Sequence, residues 1–176
     1  RKRLGQLDGA LVLAPELMHV ASWEEQIKTH APDLQYRLLL GEKNERAAQL
    51  GKKADVYVMN YAGLLPFMTV HGKKKGKGKQ LIEPEKAGAF ASLFNFLVLD
   101  ELHRIANHNA LTHDMFRWLS AAATFRYALD GTPHGRDPTP LFGHFRLIDH
   151  GETLGPTLGM FRQAFFTPKK DYWAGI

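Results

Sequence analysis

The chain has 176 residues, of which 44% are hydrophobic and 23% charged, and this balance excludes a disordered protein. Because it contains no cysteine, it cannot be a disulfide scaffold, bind metal through thiolates or use a cysteine nucleophile. No apolar run approaches the ~18 residues that cross a bilayer, so we expect no membrane partner. The length predicts one domain with a sizeable core.

The positive charge is concentrated in one segment. The formal net charge is +5, from 23 basic and 18 acidic residues, and residues 71–80 contain lysines but no acid. Glycines between the lysines argue against a helix or strand and predict a lysine- and glycine-rich loop insertion at 71–80. Two interpretations remain open: a solvated surface insertion, or an arm that contacts nucleic-acid phosphates. The lysines are Lys73, Lys74, Lys75, Lys77 and Lys79.

Short apolar runs alternate with helical patterns along the chain. The runs predict strands at residues 10–14, 36–40, 55–59, 94–99 and 125–129. Helical patterns separate them at residues 17–30, 42–50, 84–93 and 110–122, and continue after residue 140. Strands that are apolar on both faces, with helix-length connections, are typical of a parallel sheet that helices cover on both sides. We therefore predict an α/β fold with its ligand site at the carboxyl ends of the strands.

Two adjacent carboxylates, Asp100 and Glu101, follow the fourth predicted strand. Facing them towards the ligand edge of a sheet costs desolvation, which a cation would offset. In phosphoryl transfer, the first acid would hold a nucleotide's magnesium ion and the second would orient or deprotonate the attacking water. The structural alternative is that the acids stabilise a helix N-terminus through its dipole, and the pair alone does not decide between the two.

The surrounding residues resemble a known family. Residues 96–103, FLVLDELH, resemble motif II, the DExH or Walker B box, of superfamily-two helicases and translocases, and the string DELHRIAN at 100–107 is similar to that of Swi/Snf-like ATPases. Residues 128–133, ALDGTP, resemble motif III, while residues 11–15 and 56–61 resemble motifs Ia and Ib. The resemblance extends over residues 8–166 and depends on the shared order, strand context and spacing of the motifs.

This resemblance implies a RecA-like three-layer α/β/α sheet of the P-loop NTPase fold, N-terminally truncated, in which residues 1–176 are part of the first helicase lobe. It implies an ATP-hydrolysis-driven DNA translocase or helicase-like motor that uses ATP and Mg²⁺. Asp100 would bind the magnesium through the nucleotide, Glu101 would activate water, and His103 would connect the nucleotide site to motif III. The motif III residues that would couple hydrolysis to DNA binding are Asp130, Gly131 and Thr132.

The resemblance also implies two partners. Double-stranded DNA would pass close to Pro15, Asn60 and Tyr61, and the lysine-rich loop that follows motif Ib becomes a candidate for phosphate contacts. The other partner would be a second RecA-like lobe of the same parent chain, which residues 1–176 do not contain. We expect a cytoplasmic protein, encoded by a bacterium or a phage, or a nuclear one if the source is eukaryotic.

The sequence departs from the family pattern at several points. Motif I, the phosphate-binding P-loop, and the second lobe with its arginine finger are both missing, so this piece alone should be nearly inactive. Asp130 replaces the usual threonine of motif III, and Ala106 and Gln26 replace a usual lysine and glutamate. Two alternatives therefore remain open: a non-catalytic DNA-binding or scaffold module derived from a degenerate lobe, and a true strand-separating helicase.

Two sets of other residues receive a structural interpretation. Trp23 and Trp118 occupy apolar helix positions, which predicts core packing. His103, His108 and His113 recur every five residues, a spacing that turns them to different faces of a helix, so we predict no metal role for them.

Overall fold

A computed structural model describes residues 5, 7–72, 80–105, 110–132 and 139–166 of the protein. The strands are β1 (Ala10–Ala14), β2 (Tyr36–Leu38), β3 (Val56–Asn60), β4 (Thr69–His71), β5 (Gln80–Ile82), β6 (Phe96–Asp100) and β7 (Phe125–Leu129). The helices are α1 (Leu17–His30), α2 (Lys43–Leu50), α3 (Leu65–Met68), α4 (Pro84–Ala91), α5 (Leu111–Ala122), α6 (Thr139–Ile148) and α7 (Leu158–Phe165). Short 3₁₀ turns follow β3, at Tyr61–Leu64, and β6, at Leu102–Ile105.

Five of the described strands form a parallel sheet in the order β2-β3-β1-β6-β7. In the central strand β1, Ala10 lies opposite Val56 of β3 and Phe96 of β6. Helices pack on both sides of this sheet, which confirms the predicted α/β class and its three layers. Among the described residues, no helix combines the length and the apolar character needed to span a bilayer.

The two faces of the sheet pack differently. On the face that carries Leu11 and Leu97, here called the closed face, helices α4, α5 and α6 complete a large buried core around Phe116. On the opposite face, here called the open face, Val12 and its neighbours pack against Val20 and the rest of the inner side of α1. Because side chains alternate along a strand, β1, β3 and β6 each contribute to both cores.

Local sequence explains where several helices begin. Pro84 opens α4 at the first helical position, where its missing N–H costs nothing. Glu42 and Glu45 form a reciprocal capping box at the start of α2. Leu119 lies four residues after the buried Met115, so α5 turns an apolar stripe to the closed-face core.

The structure shifts some predicted boundaries and adds one element. Strand β2 ends at Leu38 rather than residue 40, and β6 begins at Phe96 and includes Asp100. The antiparallel hairpin of β4 and β5 was not predicted, because three-residue strands are too short to establish a period. The ends of the predicted insertion, His71 and Gln80, pair in this hairpin, whereas residues 73–79, with the five lysines, lie outside the described residues.

Candidate active site at the carboxyl edge of the sheet

The carboxyl ends of four parallel strands bring most of the predicted site residues to one edge of the sheet. Ala14, the last residue of β1, lies opposite Asn60, so Pro15 and Asn60 are neighbours at this edge. Asp100, the last residue of β6, lies opposite Leu129, which directly precedes Asp130. Residues that are far apart in the sequence therefore meet where ligands bind to sheets of this kind.

The chain turns sharply after β6. Glu101 adopts a φ of 52°, a left-handed conformation that disfavours side chains other than glycine. The following 3₁₀ turn is anchored by two buried side chains, Leu102 and Ile105. This anchoring leaves His103 and Arg104 between them at the surface.

His103 connects the two acidic strand ends. Its ring Nδ1 lies 3.2 Å from Oε2 of Glu101 and 3.1 Å from Oδ1 of Asp130. Its backbone N–H donates to Oδ2 of Asp130 at 2.6 Å. When Nδ1 carries a proton, it can donate to either carboxylate. His103 can therefore switch its hydrogen bond between Glu101 in the turn after β6 and Asp130 in the turn after β7.

Asp130 is held as a carboxylate by the turn that it begins. Partial burial opposes its ionisation, but the Thr132 backbone N–H, which donates at 2.8 Å, and the two bonds from His103 outweigh it and keep the pKa of Asp130 below its usual value. Gly131 and Thr132 are exposed beside it. The aspartate that replaces the family's threonine therefore has three hydrogen-bond donors of its own in this structure.

Trp23 contacts the first carboxylate of the pair. The indole Nε1–H of Trp23, from the middle of α1, donates to Oδ2 of Asp100 at 2.9 Å. The prediction that Trp23 is a core residue was incomplete, because it is half-buried and forms a polar contact at the site. Trp118, which was also predicted to be core, is 38% exposed on α5, so that prediction was wrong.

Tyr61 contacts the backbone of the same turn from the core of the closed face. Its hydroxyl donates to the backbone carbonyl of Asp100 and lies 3.4 Å from the carbonyl oxygen of Glu101. Burial, and then the negative charges of the nearby carboxylates, raise the pKa of Tyr61 and keep the hydroxyl protonated. The tyrosine side chain therefore faces the acidic turn.

The remaining predicted DNA contacts are only partly described. Asn60 is half-buried, and its side-chain oxygen accepts a hydrogen bond from Nη1 of Arg46 at 3.1 Å. Pro15 is also half-buried, at the start of the loop into α1. The next residue, Glu16, accepts a hydrogen bond from Nη2 of Arg104 at 2.5 Å and so connects this loop to the turn after β6. DNA contact by these residues stays a prediction.

Two sets of side-chain atoms could hold a metal ion. Trp23 occupies only Oδ2 of Asp100, which leaves Oδ1 without a protein partner among the described residues. Mg²⁺ prefers hard oxygens and is usually bound by one or two carboxylates together with phosphate oxygens and waters, so Asp100 fits a nucleotide-bound magnesium ion. Separately, one ligand atom each from Glu101, His103 and Asp130 lie within 4.8 Å of one another. The histidine-spacing argument missed this second set because Asp130 is 27 residues from His103.

Comparisons with known proteins show which family and which fold this chain has. The SNF2-related domain family matches residues 1–171. The Sulfolobus solfataricus SWI2/SNF2 ATPase core in complex with dsDNA has a similar fold, with a TM-score of 0.67 and 22% identity over 95% of this chain. The SWI2/SNF2 ATPase core domain of the same organism gives a TM-score of 0.64 at 22% identity, also over 95% of this chain.

This chain spans about 30% of the length of each of those solved structures. No curated protein sequence gives a significant match. The match over residues 1–171, together with the parallel sheet and its acidic edge, confirms the predicted RecA-like fold and the Swi/Snf-like resemblance. The chain belongs to the SNF2-related domain family.

Proposed function

We propose that this chain is the first RecA-like lobe of an ATP-hydrolysis-driven DNA translocase or helicase-like motor. The observation that carries the proposal is the linked acidic edge, in which His103 joins the turn after Asp100 to Asp130 at the carboxyl ends of adjacent strands. Membership of a family whose solved relatives are described as ATPase cores supports it.

Each acidic residue has a separate role in this proposal. Asp100 would hold the magnesium of bound ATP, and the Trp23 indole N–H donates to Oδ2 of the same carboxylate and so orients it. Glu101, which is 37% exposed at the edge, orients or deprotonates the attacking water. His103 and Asp130 transmit conformational changes between this turn and the turn after β7. There Gly131 and Thr132 contribute to the coupling of ATP hydrolysis to DNA binding.

The phosphates of ATP require groups that residues 1–176 do not supply, because no G-x-x-x-x-G-K-[ST] sequence is present. We propose that a P-loop in the parent protein provides them. The structure leaves room for it, since β7 pairs with β6 alone among the described strands and Tyr127 is 47% exposed on the open face. A G-x-G-K-[ST] string within about forty residues upstream of Arg1 would support this arrangement.

The proposed motor also requires DNA and a second RecA-like lobe. The strand ends at Pro15 and Asn60 offer backbone groups to one DNA strand, and the lysines of residues 73–79 add sequence-independent phosphate contacts. One of the two solved relatives named above is a complex with dsDNA. The second RecA-like lobe would supply an arginine finger, a device worth about 10³- to 10⁵-fold in related phosphoryl transfers.

The test is ATP turnover by the full-length parent protein, with and without double-stranded DNA, for the wild type and Glu101→Gln. We expect turnover to rise with DNA and to fall about 10²- to 10⁴-fold in the variant, because the amide cannot accept a proton from water. Glu25→Gln, at an exposed position on α1, is the matched control and should leave turnover unchanged. Unchanged turnover in Glu101→Gln would show that this residue does not activate water.

DNA affinity, measured by fluorescence anisotropy in the same preparations, separates the motor from the non-catalytic alternative. The missing P-loop sequence in residues 1–176 is the observation that keeps that alternative open. DNA binding without any ATP turnover by the wild type would show that the lobe is a binding or scaffold module. Strand displacement of a labelled duplex would distinguish a true helicase from a translocase.

A further inference from the structure

Two aromatic side chains reach the Asp100–Glu101 turn from other parts of the sheet edge. Tyr61 follows the carboxyl end of β3, and Trp23 lies in α1, which follows the carboxyl end of β1. We propose that Tyr61 and Trp23 are positioning residues that hold the acidic turn in its working geometry and connect it to the two strand ends that face DNA. This inference rests on the proposed function and names how DNA would regulate the same site.

The turn needs an external support because its backbone is unfavourable. A left-handed φ such as the 52° of Glu101 is unfavourable for a residue with a Cβ. Surrounding contacts must hold such a conformation if it is to persist. The peptide group between Asp100 and Glu101 determines where the Glu101 side chain points, so a donor on that peptide's carbonyl oxygen controls the position of the second carboxylate.

The Tyr61 hydroxyl is that donor. It donates to the carbonyl of Asp100, with the carbonyl of Glu101 3.4 Å away as the next acceptor. A rotation of the turn would move the hydroxyl from one carbonyl towards the other. The hydroxyl lies within hydrogen-bonding distance of both carbonyl oxygens of the turn, so it is placed to follow such a rotation.

Packing makes Tyr61 a rigid connection rather than a loose contact. The side chain is 8% exposed, and its ring meets the ring of Phe116 edge-on with centroids 4.9 Å apart. Tyr61 is also the first residue of the 3₁₀ turn that follows Asn60. A ligand that shifts the backbone at Asn60 and Tyr61 must therefore move the hydroxyl relative to the acidic turn.

Trp23 provides the corresponding support for the carboxylate. Its indole N–H, 2.9 Å from Oδ2 of Asp100, selects one rotation of that carboxylate and leaves Oδ1 without a partner among the described residues. The ion pair of Glu16 with Arg104, at 2.5 Å, connects the first turn of α1 to the residues just beyond the DExH box. Both predicted DNA-contact segments thus lead directly into groups that bind the acidic turn.

The experiment uses Tyr61→Phe and Tyr57→Phe in the full-length parent protein. Tyr57 is the matched control, because it is equally buried in β3 but its hydroxyl donates to the Lys52 carbonyl at 3.0 Å, near the amino end of the strand. We expect Tyr61→Phe to lower the DNA-stimulated kcat by about threefold to tenfold, the range for one lost hydrogen bond, with KM for ATP and DNA affinity unchanged. Tyr57→Phe should keep the wild-type ratio of DNA-stimulated to basal kcat.

A second measurement does not depend on turnover. In the wild type, DNA should slow amide hydrogen exchange of residues 100–105, and this protection should be lost in Tyr61→Phe but retained in Tyr57→Phe. Trp23→Phe, compared with Trp118→Phe on the surface of α5, should raise the Mg²⁺ concentration needed for half-maximal turnover. Equal behaviour of Tyr61→Phe and Tyr57→Phe in both kinetics and exchange would overturn the inference while leaving the proposed function intact. Absence of DNA-stimulated turnover in the wild type would overturn the proposed function and this inference with it.

Discussion

The closed and open faces of the sheet differ in how completely the described residues cover them. On the closed face, three helices bury the strands, and Phe116 is 0% exposed. On the open face, α1 covers β1 and β3, but Phe96 and Tyr127 stack on each other with ring centroids 5.1 Å apart beside a cavity of about 890 Å³. The closed face is fully covered by helices, whereas the β6–β7 half of the open face is a surface on which more protein can pack.

The two faces also differ in the contacts that they make with the acidic turn. Tyr61 and the anchors Leu102 and Ile105 belong to the closed-face core, and they hold the Asp100–Glu101 turn from that side. From the open side, the turn receives the single indole bond of Trp23 among the described residues. The face that would receive the proposed P-loop segment is thus the less constrained one.

The largest expected effect is a loss of stability at the centre of the closed face. Phe116→Ala should lower the free energy of unfolding by about 3–5 kcal/mol, because it removes a fully buried ring and leaves a cavity. Tyr127→Ala on the open face should cost about 1 kcal/mol or less, since the side chain is 47% exposed and loses mainly its contact with Phe96.

Chemical denaturation of the chain, followed by circular dichroism, measures both values. Equal costs for the two substitutions would remove the distinction between the faces. In the full-length protein, a cost for Tyr127→Ala that rises well above its value in the 176-residue chain would show that another segment covers the open face.

A smaller effect is expected for one buried hydrogen bond on the closed face. Ser120 is fully buried, and its hydroxyl donates to the carbonyl of Leu147, which connects α5 to α6. Ser120→Ala should cost about 2 kcal/mol, because the carbonyl of Leu147 would lose a partner in a site that water does not reach.

Ser22→Ala is the matched control on α1, since the exposed Ser22 hydroxyl donates only to the carbonyl of Met18 within the same helix. It should change the free energy of unfolding by about 0.5 kcal/mol or less. A cost at Ser22 as large as the one at Ser120 would contradict the view that the closed face carries most of the stability.

The sequence was sufficient for the sheet and for the acidic residues at its edge. Apolar runs identified β1, β6 and β7, and parallel strands place their carboxyl ends together, so Asp100 and Asp130 were expected at the same edge. The pairing of β6 with β7, which makes them neighbours there, was not predicted. The sequence did not reveal that the Trp23 indole donates a hydrogen bond to Asp100. The helical period predicts that Trp23 faces the sheet, but it does not predict which polar atom the indole N–H contacts. It also missed the hydroxyl of Tyr61, whose acceptors lie 39 and 40 residues away. Trp118 was misassigned because an apolar residue at a helical spacing can lie at the border of the stripe.

The smallest expected effect is electrostatic and lies where the closed-face helix α6 ends. Partial burial opposes ionisation of Asp149, but hydrogen bonds from Thr153, Gly151 and Glu152 outweigh it and lower its pKa below the usual 3.8. A carboxyl whose pKa is lowered by folding adds stability above its unfolded pKa, and this contribution is lost as the pH falls through the folded pKa. Asp149→Asn should therefore cost about 1 kcal/mol at pH 7, and the difference from the wild type should shrink as the pH falls below 3.8 and through the lower pKa of the folded protein.

Asp114→Asn, at a half-buried position on α5, serves as the control, and denaturation midpoints at pH 7, 5 and 3 give the comparison. The backbone N–H groups of Gly151 and Thr153 donate to Asp149 at 2.8 Å and 3.0 Å. In the variant, the asparagine side chain still offers one oxygen as an acceptor, which is why the expected cost is small. A difference between Asp149→Asn and the wild type that stays constant from pH 7 to pH 3 would mean that the turn is stabilised by its hydrogen-bond geometry alone. If the difference in the free energy of unfolding between Asp149→Asn and the wild type vanishes in acid, the carboxylate charge stabilises the end of α6 on the closed face of the sheet.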